Sequence, residues 1–402
     1  LIALARHPSR AVRIAAVVAL RRMKSPGIQI FLKDTDEFIV TETARAINDD
    51  LSIPGALPQL AEALNDRRFS NEAFVRRAIN ANLRTGTTEG IHNLLRYGQQ
   101  ADAPAPLRAE ALDALSTWAQ PSVLDRVDGR YRGVVKRDPV PVQNAAGPIL
   151  IQLLGAQNEL VRAHAAKACG KLAIADAADA LLSHLQNDPD ARVRTEAVNA
   201  LARLNAHSID KAIQLALEDK DKTVRISGLE LIEQLPIDKK TMADLLNKVI
   251  FRGTLQEKQA ALVTMSHLPA AETEKIIGGL LTAVEKKQLT REIALELGDA
   301  IDSTRSTTLI RKWNAFLLSN GPDSLKALYS GALTGGDPQK GASLFWGHPT
   351  AQCLRCHSYN DYGGTAGPRL NGVANRLSRE QLLEALIEPS ARIAPGYGIV
   401  TL

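Results

Sequence analysis

Apolar residues recur at helical spacing through most of this chain. Val12, Ala16 and Leu20 fall four apart, as do Ala111 and Leu115. Positions i and i+4 share one helix face, so such runs predict amphipathic helices. Each run opens alike: a polar or Asp-Pro turn, an apolar-Arg pair, then small and aliphatic residues. His7-Pro8 leads to Val12-Arg13, Pro106 to Leu107-Arg108, Asp188-Pro189 to Val193-Arg194, and Asp219 to Val224-Arg225. Leu160-Val161-Arg162 fits the same frame. Arg162 to Arg194 is 32 residues and Arg194 to Arg225 is 31.

Self-similarity at a fixed period predicts an α-solenoid. A single helical hairpin cannot bury its own apolar face, and stacked hairpins build one continuous core. The motif Asp-Pro-x-x-x-Val-Arg-x-x-Ala-x-x-Ala-Leu resembles HEAT-like repeats, at a period below the ~40 residues of standard units. Alanines at crossing positions are expected to let helices approach closely. The repeated arginine is expected to bond the aspartate or carbonyls of its neighbour; binding an anion is its functional alternative. Two stretches break the period. Gly98 to Pro106 reads as a polar loop. Gly129-Arg130-Tyr131-Arg132-Gly133-Val134-Val135-Lys136-Arg137-Asp138-Pro139-Val140-Pro141 reads as a basic surface loop with a binding role as its alternative.

Composition fits stacked helices. The chain has 402 residues, 45% hydrophobic, 23% charged and only 4% aromatic. No run reaches the ~18 apolar residues of a membrane span. Net charge is +5 and the isoelectric point about 9.0. The basic residues are read as interleaved with acids, which argues against nucleic acid and leaves room for docking an acidic redox partner. His164, His184, His207 and His267 stand alone in helical context. No nucleotide-binding glycine loop, nucleophile elbow or paired-carboxylate site stands out.

The residues near the end carry different chemistry. Cys353-Leu354-Arg355-Cys356-His357 is Cys-x-x-Cys-His, the attachment pattern of a c-type haem. Two thiols three residues apart each reach one vinyl group of a porphyrin, and the adjacent imidazole then sits under the ring. A zinc knuckle would need two more ligands, with His348 the only near candidate and Cys169 far back. A redox dithiol would need a βαβ setting. Cys169 reads as a small core residue. Upstream, Asp337 is a good N-cap and Pro338 a good first helical residue. Gly341 and Phe345 share that helix's face. Downstream, Gly363 to Leu370 reads as a loop. Ser378 with Gln381 forms a capping box, and Pro389 stops that helix.

Residues from about Gly335 onward resemble a class I cytochrome c domain. The resemblance implies that the Pro368 carbonyl accepts a hydrogen bond from the His357 imidazole. It also implies one covalent haem c held by Cys353 and Cys356, with iron on His357. Leu370, Leu377, Leu382, Leu386 and Tyr397 are expected to line the pocket. Such domains complete the iron with a methionine or second histidine. Met23, Met242 and Met265 all precede His357. The sixth ligand is therefore expected beyond Leu402, with a five-coordinate iron or His348 as alternatives. Ile399-Val400-Thr401-Leu402 reads as a strand cut mid-course, and Leu1 as lying within a helix.

The expected architecture is all-α: a HEAT-like solenoid over 1–320, a linker over 321–334, and a small cytochrome c domain over 335–402. Gly367-Pro368-Arg369-Leu370-Asn371-Gly372, Arg376-Leu377-Ser378-Arg379, Glu388-Pro389-Ser390 and Ile393-Ala394-Pro395-Gly396-Tyr397 resemble the ends of planctomycete and Bacteroidetes proteins of a membrane-bound dehydrogenase-like family. That resemblance implies an electron-transfer module in the periplasm or on the bacterial surface, with a dehydrogenase as redox partner. The competing expectation is a haem sensor or interaction scaffold without net electron transfer.

Overall fold

The structure is a computed structural model; it describes residues 1–49, 53–235, 237–319, 326–327, 329–360 and 362–398. The chain is mostly helical, and its contacts divide it into two units. The first comprises Leu1–Ala206 with Tyr362–Gly364, and the second His207–Asp361 with Thr365–Leu402. Part of the expected linker, 321–325 and 328, and the expected terminal strand, 399–402, lie outside the described residues.

In the first unit the helices Glu37–Asn48, Glu72–Thr85, Ala105–Ser116, Glu159–Lys171 and Ala191–Arg203 pack side by side. Leu57–Glu62, Thr88–Gln99, Val140–Leu154 and Ala178–Asn187 form a second layer against them. Small residues set the spacing. Ala165, Ala166, Ala168, Ala197 and Ala200 are fully buried. A Cβ on Gly170 would lie 2.6 Å from the Ala200 Cα, so only glycine permits this crossing. In the second unit Lys222–Leu231, Leu255–Ser266 and Ala294–Thr304 form one layer. Lys239–Arg252, Ala270–Glu285 and Thr307–Leu318 form the other. Its core holds Met242, Leu246, Ile277, Leu297 and Ile301.

Four of the five repeated arginines form a ladder with constant geometry; Arg108 departs from it, its Nε donating to the Gly98 carbonyl ten residues back at 2.9 Å. Arg13 Nη1 donates to the carbonyls of His7 and Pro8. Arg162 does the same to Ala156 and Gln157, Arg194 to Asp188 and Pro189, and Arg225 to Asp219 and Lys220. These are always the residues six and five before the arginine, in the turn entering its helix. The rest of the fork reaches an acid of the next hairpin: Asp34 for Arg13, Asp188 for Arg162, Glu257 for Arg225. Arg77 points the other way, its Nε and Nη2 on Asp49 at 2.8 and 2.9 Å. The acid also organises its own turn. Asp34, Asp188 and Asp219 each accept from the amide two residues on, and that residue caps the next helix: Asp36, Asp190 and Asp221. A guanidinium supplies a planar set of donors that matches carbonyls and a carboxylate together.

Two expectations need correction. Charge is not evenly interleaved: residues 1–33 carry seven Lys or Arg and no Asp or Glu. Part of that excess is neutralised by the next hairpin, through Arg13–Asp34 and Arg10–Asp36. The basic insertion is not a peripheral loop either. Arg132 is inserted into the first unit, bonded to Asp125, Asp128 and the carbonyls of Asn48 and Asp49. Arg137 stacks over Trp118 and donates to the Leu83 carbonyl, closing the end of the helix Glu72–Thr85. The insertion therefore caps two helices of the stack.

Candidate functional site

The Cys-x-x-Cys-His segment is delivered by a capped helix and a tight turn. Asp337 accepts from the amides of Gln339 at 2.8 Å and Lys340 at 3.1 Å, which starts the helix Pro338–Gly347. Its start is tied to the helices of its own unit: Gln259 Nε2 donates to the Gly335 carbonyl at 2.5 Å, and Lys340 pairs with Glu230 at 2.9 Å. After the helix, His348 Nδ1 accepts from the Thr350 and Ala351 amides. That use of His348 forms the turn. Gln352 follows at φ +47°, and the single helical turn Cys353–Cys356 comes next.

Residues three apart on a helical turn project to the same side. Cys353 is half-buried, Cys356 exposed, and both are free thiols. Leu354, 1% exposed, anchors the turn. His357 leaves it in extended conformation, its amide still bonded to the Cys353 carbonyl at 2.9 Å.

His357 Nδ1 lies 2.9 Å from the Pro368 carbonyl oxygen. A carbonyl only accepts, so the bond assigns the proton to Nδ1 and leaves the Nε2 lone pair free. The ring rests on Gly367: a Cβ there would sit 2.8 Å from Cε1, 2.9 Å from Nδ1 and 3.2 Å from Nε2. Backbone bonds hold the two strips of chain together. Gly367 N donates to Cys356 O at 2.7 Å, and Leu370 N to Ser358 O at 2.9 Å. The structure thus brings Cys353, Cys356, His357, Pro368 and Leu370 into one locality.

Other expected residues fare differently. Leu370, Leu377 and Leu382 are half-buried. Leu386 is 82% exposed and Tyr397 43%. Leu386 shares a face with Leu382 but lies in the last turn of the helix Arg379–Ile387, where cover has ended. That helix begins with the expected capping box of Ser378 and Gln381. Between 335 and 398, Leu354 is the single buried apolar side chain among the described residues. Leu344, Trp346, Tyr359 and Ile393 are all exposed. A segment with this much uncovered apolar surface fits a large apolar group. The free thiols and the uncommitted Nε2 fit that group being a porphyrin.

Sequence reasoning missed Gly367 as the surface under the imidazole, and it missed Asn360 and Asn371, which pair beside it. Gly directly before Pro368 was the available sign of the first. Among the described residues no group of three or more His, Cys, Asp or Glu is placed to hold a metal ion. Cys169, fully buried in the helix Glu159–Lys171, has its thiol pushed up to about 12 by burial.

Residues 147–233 match the family described as HEAT repeats. Similar solved structures include Escherichia coli YibA, at 14% identity and TM-score 0.45, covering 75% of this chain and 96% of that one. Another is the CpcE–CpcF complex of phycocyanin lyase from Nostoc, at 18% identity and TM-score 0.34, covering 76% and 91%. A third is an engineered protein at 20% identity and TM-score 0.26, covering 70% and 96%. No curated protein matches the chain. No helix among the described residues is long and apolar enough to cross a membrane.

Proposed function

We propose that the chain is a HEAT-like scaffold over 1–320 that carries, after a linker over 321–334, a c-type cytochrome module over 335–402 for electron transfer. The observation that carries this reading is the His357–Pro368 bond at 2.9 Å, one helical turn from two free thiols. Cys353 and Cys356 would hold haem c through thioethers, each thiol adding across one vinyl group. His357 would present Nε2 to the iron, and Pro368 fixes the tautomer that frees it. A ligating histidine needs its other nitrogen held in this way to set ring angle and basicity. When bound, the haem supplies one-electron redox chemistry. Leu370, Leu377 and Leu382 would cover its edge, and Tyr397 its periphery.

The solenoid's part is to hold this segment at a fixed place, through the bonds to Gly335 and Lys340. A dehydrogenase, in the same chain or another, is the partner this reading implies. Covalent haem attachment of this type implies the periplasm or cell surface of a bacterium. A second reading is a haem sensor or interaction scaffold without net electron transfer.

The test is expression of the chain with haem-maturation machinery, followed by a haem stain on denaturing gels and visible spectra. Covalent haem lost in Cys353→Ser and Cys356→Ser supports the module. A low-spin spectrum with reversible reduction supports electron transfer, and a high-spin spectrum shifted by CO supports the sensor. A chain that takes no haem refutes both.

A further inference from the structure

The clamp over His357 has an outer rung that nothing in the attachment motif requires. The Asn371 side chain makes three bonds. Its Oδ1 accepts from Asn360 N at 2.8 Å and from Arg369 Nε at 2.8 Å, and its Nδ2 donates to Asn360 Oδ1 at 2.7 Å. The pairing is two-sided, as between neighbouring strands. It continues a series along two strips of chain: Cys356 O with Gly367 N, His357 Nδ1 with Pro368 O, Ser358 O with Leu370 N, then Asn360 with Asn371. Arg376 braces the second strip from outside, donating to the carbonyls of Asn371 at 3.0 Å and Arg369 at 3.1 Å.

We propose that Asn371, paired with Asn360 and braced by Arg376, is the positioning residue that fixes the Pro368 carbonyl against the His357 imidazole and so sets the direction and basicity of His357 Nε2. The inference rests on the haem reading for its redox consequence, but not for its geometry. Pro368 has no amide hydrogen, so its own peptide contributes no rung. Its carbonyl is placed by its neighbours alone. On the inner side lies Gly367 N, and on the outer side Leu370 N and the Asn371 amide. Asn360 sits at φ +55°, a conformation asparagine tolerates better than most residues, and this aims its amide at Asn371. Without the outer rung the strip can swing away, and the His357–Pro368 bond lengthens. A hydrogen bond donated from Nδ1 makes the coordinating nitrogen more basic and favours the ferric state. Loosening it shifts the balance towards ferrous.

The experiment has two arms on the whole chain. In the haem-free protein, imidazole ¹⁵N resonances of His357 report the tautomer. The wild type is expected to show a dominant Nδ1–H form, and Asn371→Ala a mixture of both. In the haem-loaded protein, redox titration is expected to show a higher potential for Asn371→Ala. The ferrous-to-ferric ratio at fixed solution potential should rise about threefold or more, tenfold being 59 mV for one electron. Asn371→Asp keeps the acceptor and loses only the donor, so its tautomer mixture should fall between wild type and Asn371→Ala; its added negative charge lowers the potential by itself, so this variant is read in the tautomer arm. It also keeps the test open if the alanine variant is disordered. An unchanged tautomer in both variants, with an unchanged potential in Asn371→Ala, would overturn the proposal. If no haem is ever taken up, the functional reading fails, while the tautomer arm still decides the clamp.

Discussion

Replacing Arg162 with alanine tests the ladder at its best-formed rung. The Arg162 side chain is 12% exposed and that of Asp188 only 2%. The pair is bidentate, Nε to Oδ2 at 2.8 Å and Nη2 to Oδ1 at 2.9 Å. Nη1 also holds the Ala156 and Gln157 carbonyls at 3.0 and 2.8 Å. Alanine removes all of these bonds and leaves a buried carboxylate. Asp188 is not stranded, because His184 Nδ1 and the Asp190 amide remain on it. Breaking a buried pair from one side costs about 3–5 kcal/mol. With those two partners left, the lower end applies, ~3 kcal/mol. At a urea slope of ~3 kcal/mol/M this lowers the midpoint by about 1 M. Hydrogen exchange should place the loss in the helices Glu159–Lys171 and Ala191–Arg203. Burial opposes ionisation of Asp188, yet its bonds to Arg162, Asp190 N and His184 outweigh that and hold its pKa below the usual range. A depressed folded-state pKa gives stability present above the unfolded value of 3.8 and lost as pH falls through the lower folded one. The Arg162→Ala difference should therefore shrink in acid. Asp188→Asn and the double variant close the cycle, with an expected coupling of ~2 kcal/mol. A loss below about 0.5 kcal/mol, or a coupling near zero, would refute a structural ladder.

Three further outcomes follow. Alkylation of the native haem-free chain at pH 8 should modify Cys353 and Cys356 and spare Cys169, whose thiol burial pushes up to about 12; mass spectrometry reads two adducts, and three would contradict that burial. Gly367→Ala places a methyl against the imidazole, an overpacking of about 1–3 kcal/mol. Covalent haem yield should drop while helical circular dichroism is unchanged, and an unchanged yield would remove Gly367 from the site. Asp128 has its pKa pushed up to about 7, first by burial and then by the Asp125 carboxylate. The folded state therefore favours its protonated form, so stability falls as pH rises from about 4 through 7. Asp128→Asn should flatten that stretch of a pH–stability curve, and an identical slope would show that Asp128 is not what titrates.

The solenoid was readable because its rule is local. A 3.6-residue period and a turn repeating every 31 or 32 residues stand in the sequence itself, and the ladder arginine occupies a fixed place within that period. The Cys353–His357 segment stood out because its five residues are contiguous. The insertion was not readable. Arg132 and Arg137 look like solvent-facing charge in a basic run, and nothing local tells that they end up on carbonyls 53 to 84 residues away. Asn371 was hidden for a related reason. Its role depends on the backbone of Asn360 turning to φ +55°, eleven residues earlier. Leu386 stands at the expected helical spacing in Arg379–Ile387, but periodicity gives a face and not what covers it.

The segment 335–398 and the solenoid differ in what holds them. Buried apolar side chains run through both layers of each unit, whereas the segment has Leu354 alone among its described residues. About 60 residues without a core need another source of order, such as a staple or a bound group. Many of its side-chain bonds are exposed, such as Lys340–Glu230 and the Asn360–Asn371 pair, and Lys326–Glu384 is part-buried. Exposed ion pairs contribute about 0–1 kcal/mol each, and hydrogen bonds ~1 kcal/mol. That total is small against ordering costs of ~1–2 kcal/mol per residue. A covalently attached haem would cover Leu370, Leu377 and Leu382 and supply the missing apolar contact. Limited proteolysis separates the two conditions. The haem-free chain should be cut first after residue 335, leaving the solenoid intact. The haem-loaded chain should resist there, its cleavage slowed about tenfold for each 1.4 kcal/mol gained. Equal cleavage rates with haem bound would mean that the group does not form the segment's core, and the proposed pocket would fall with it.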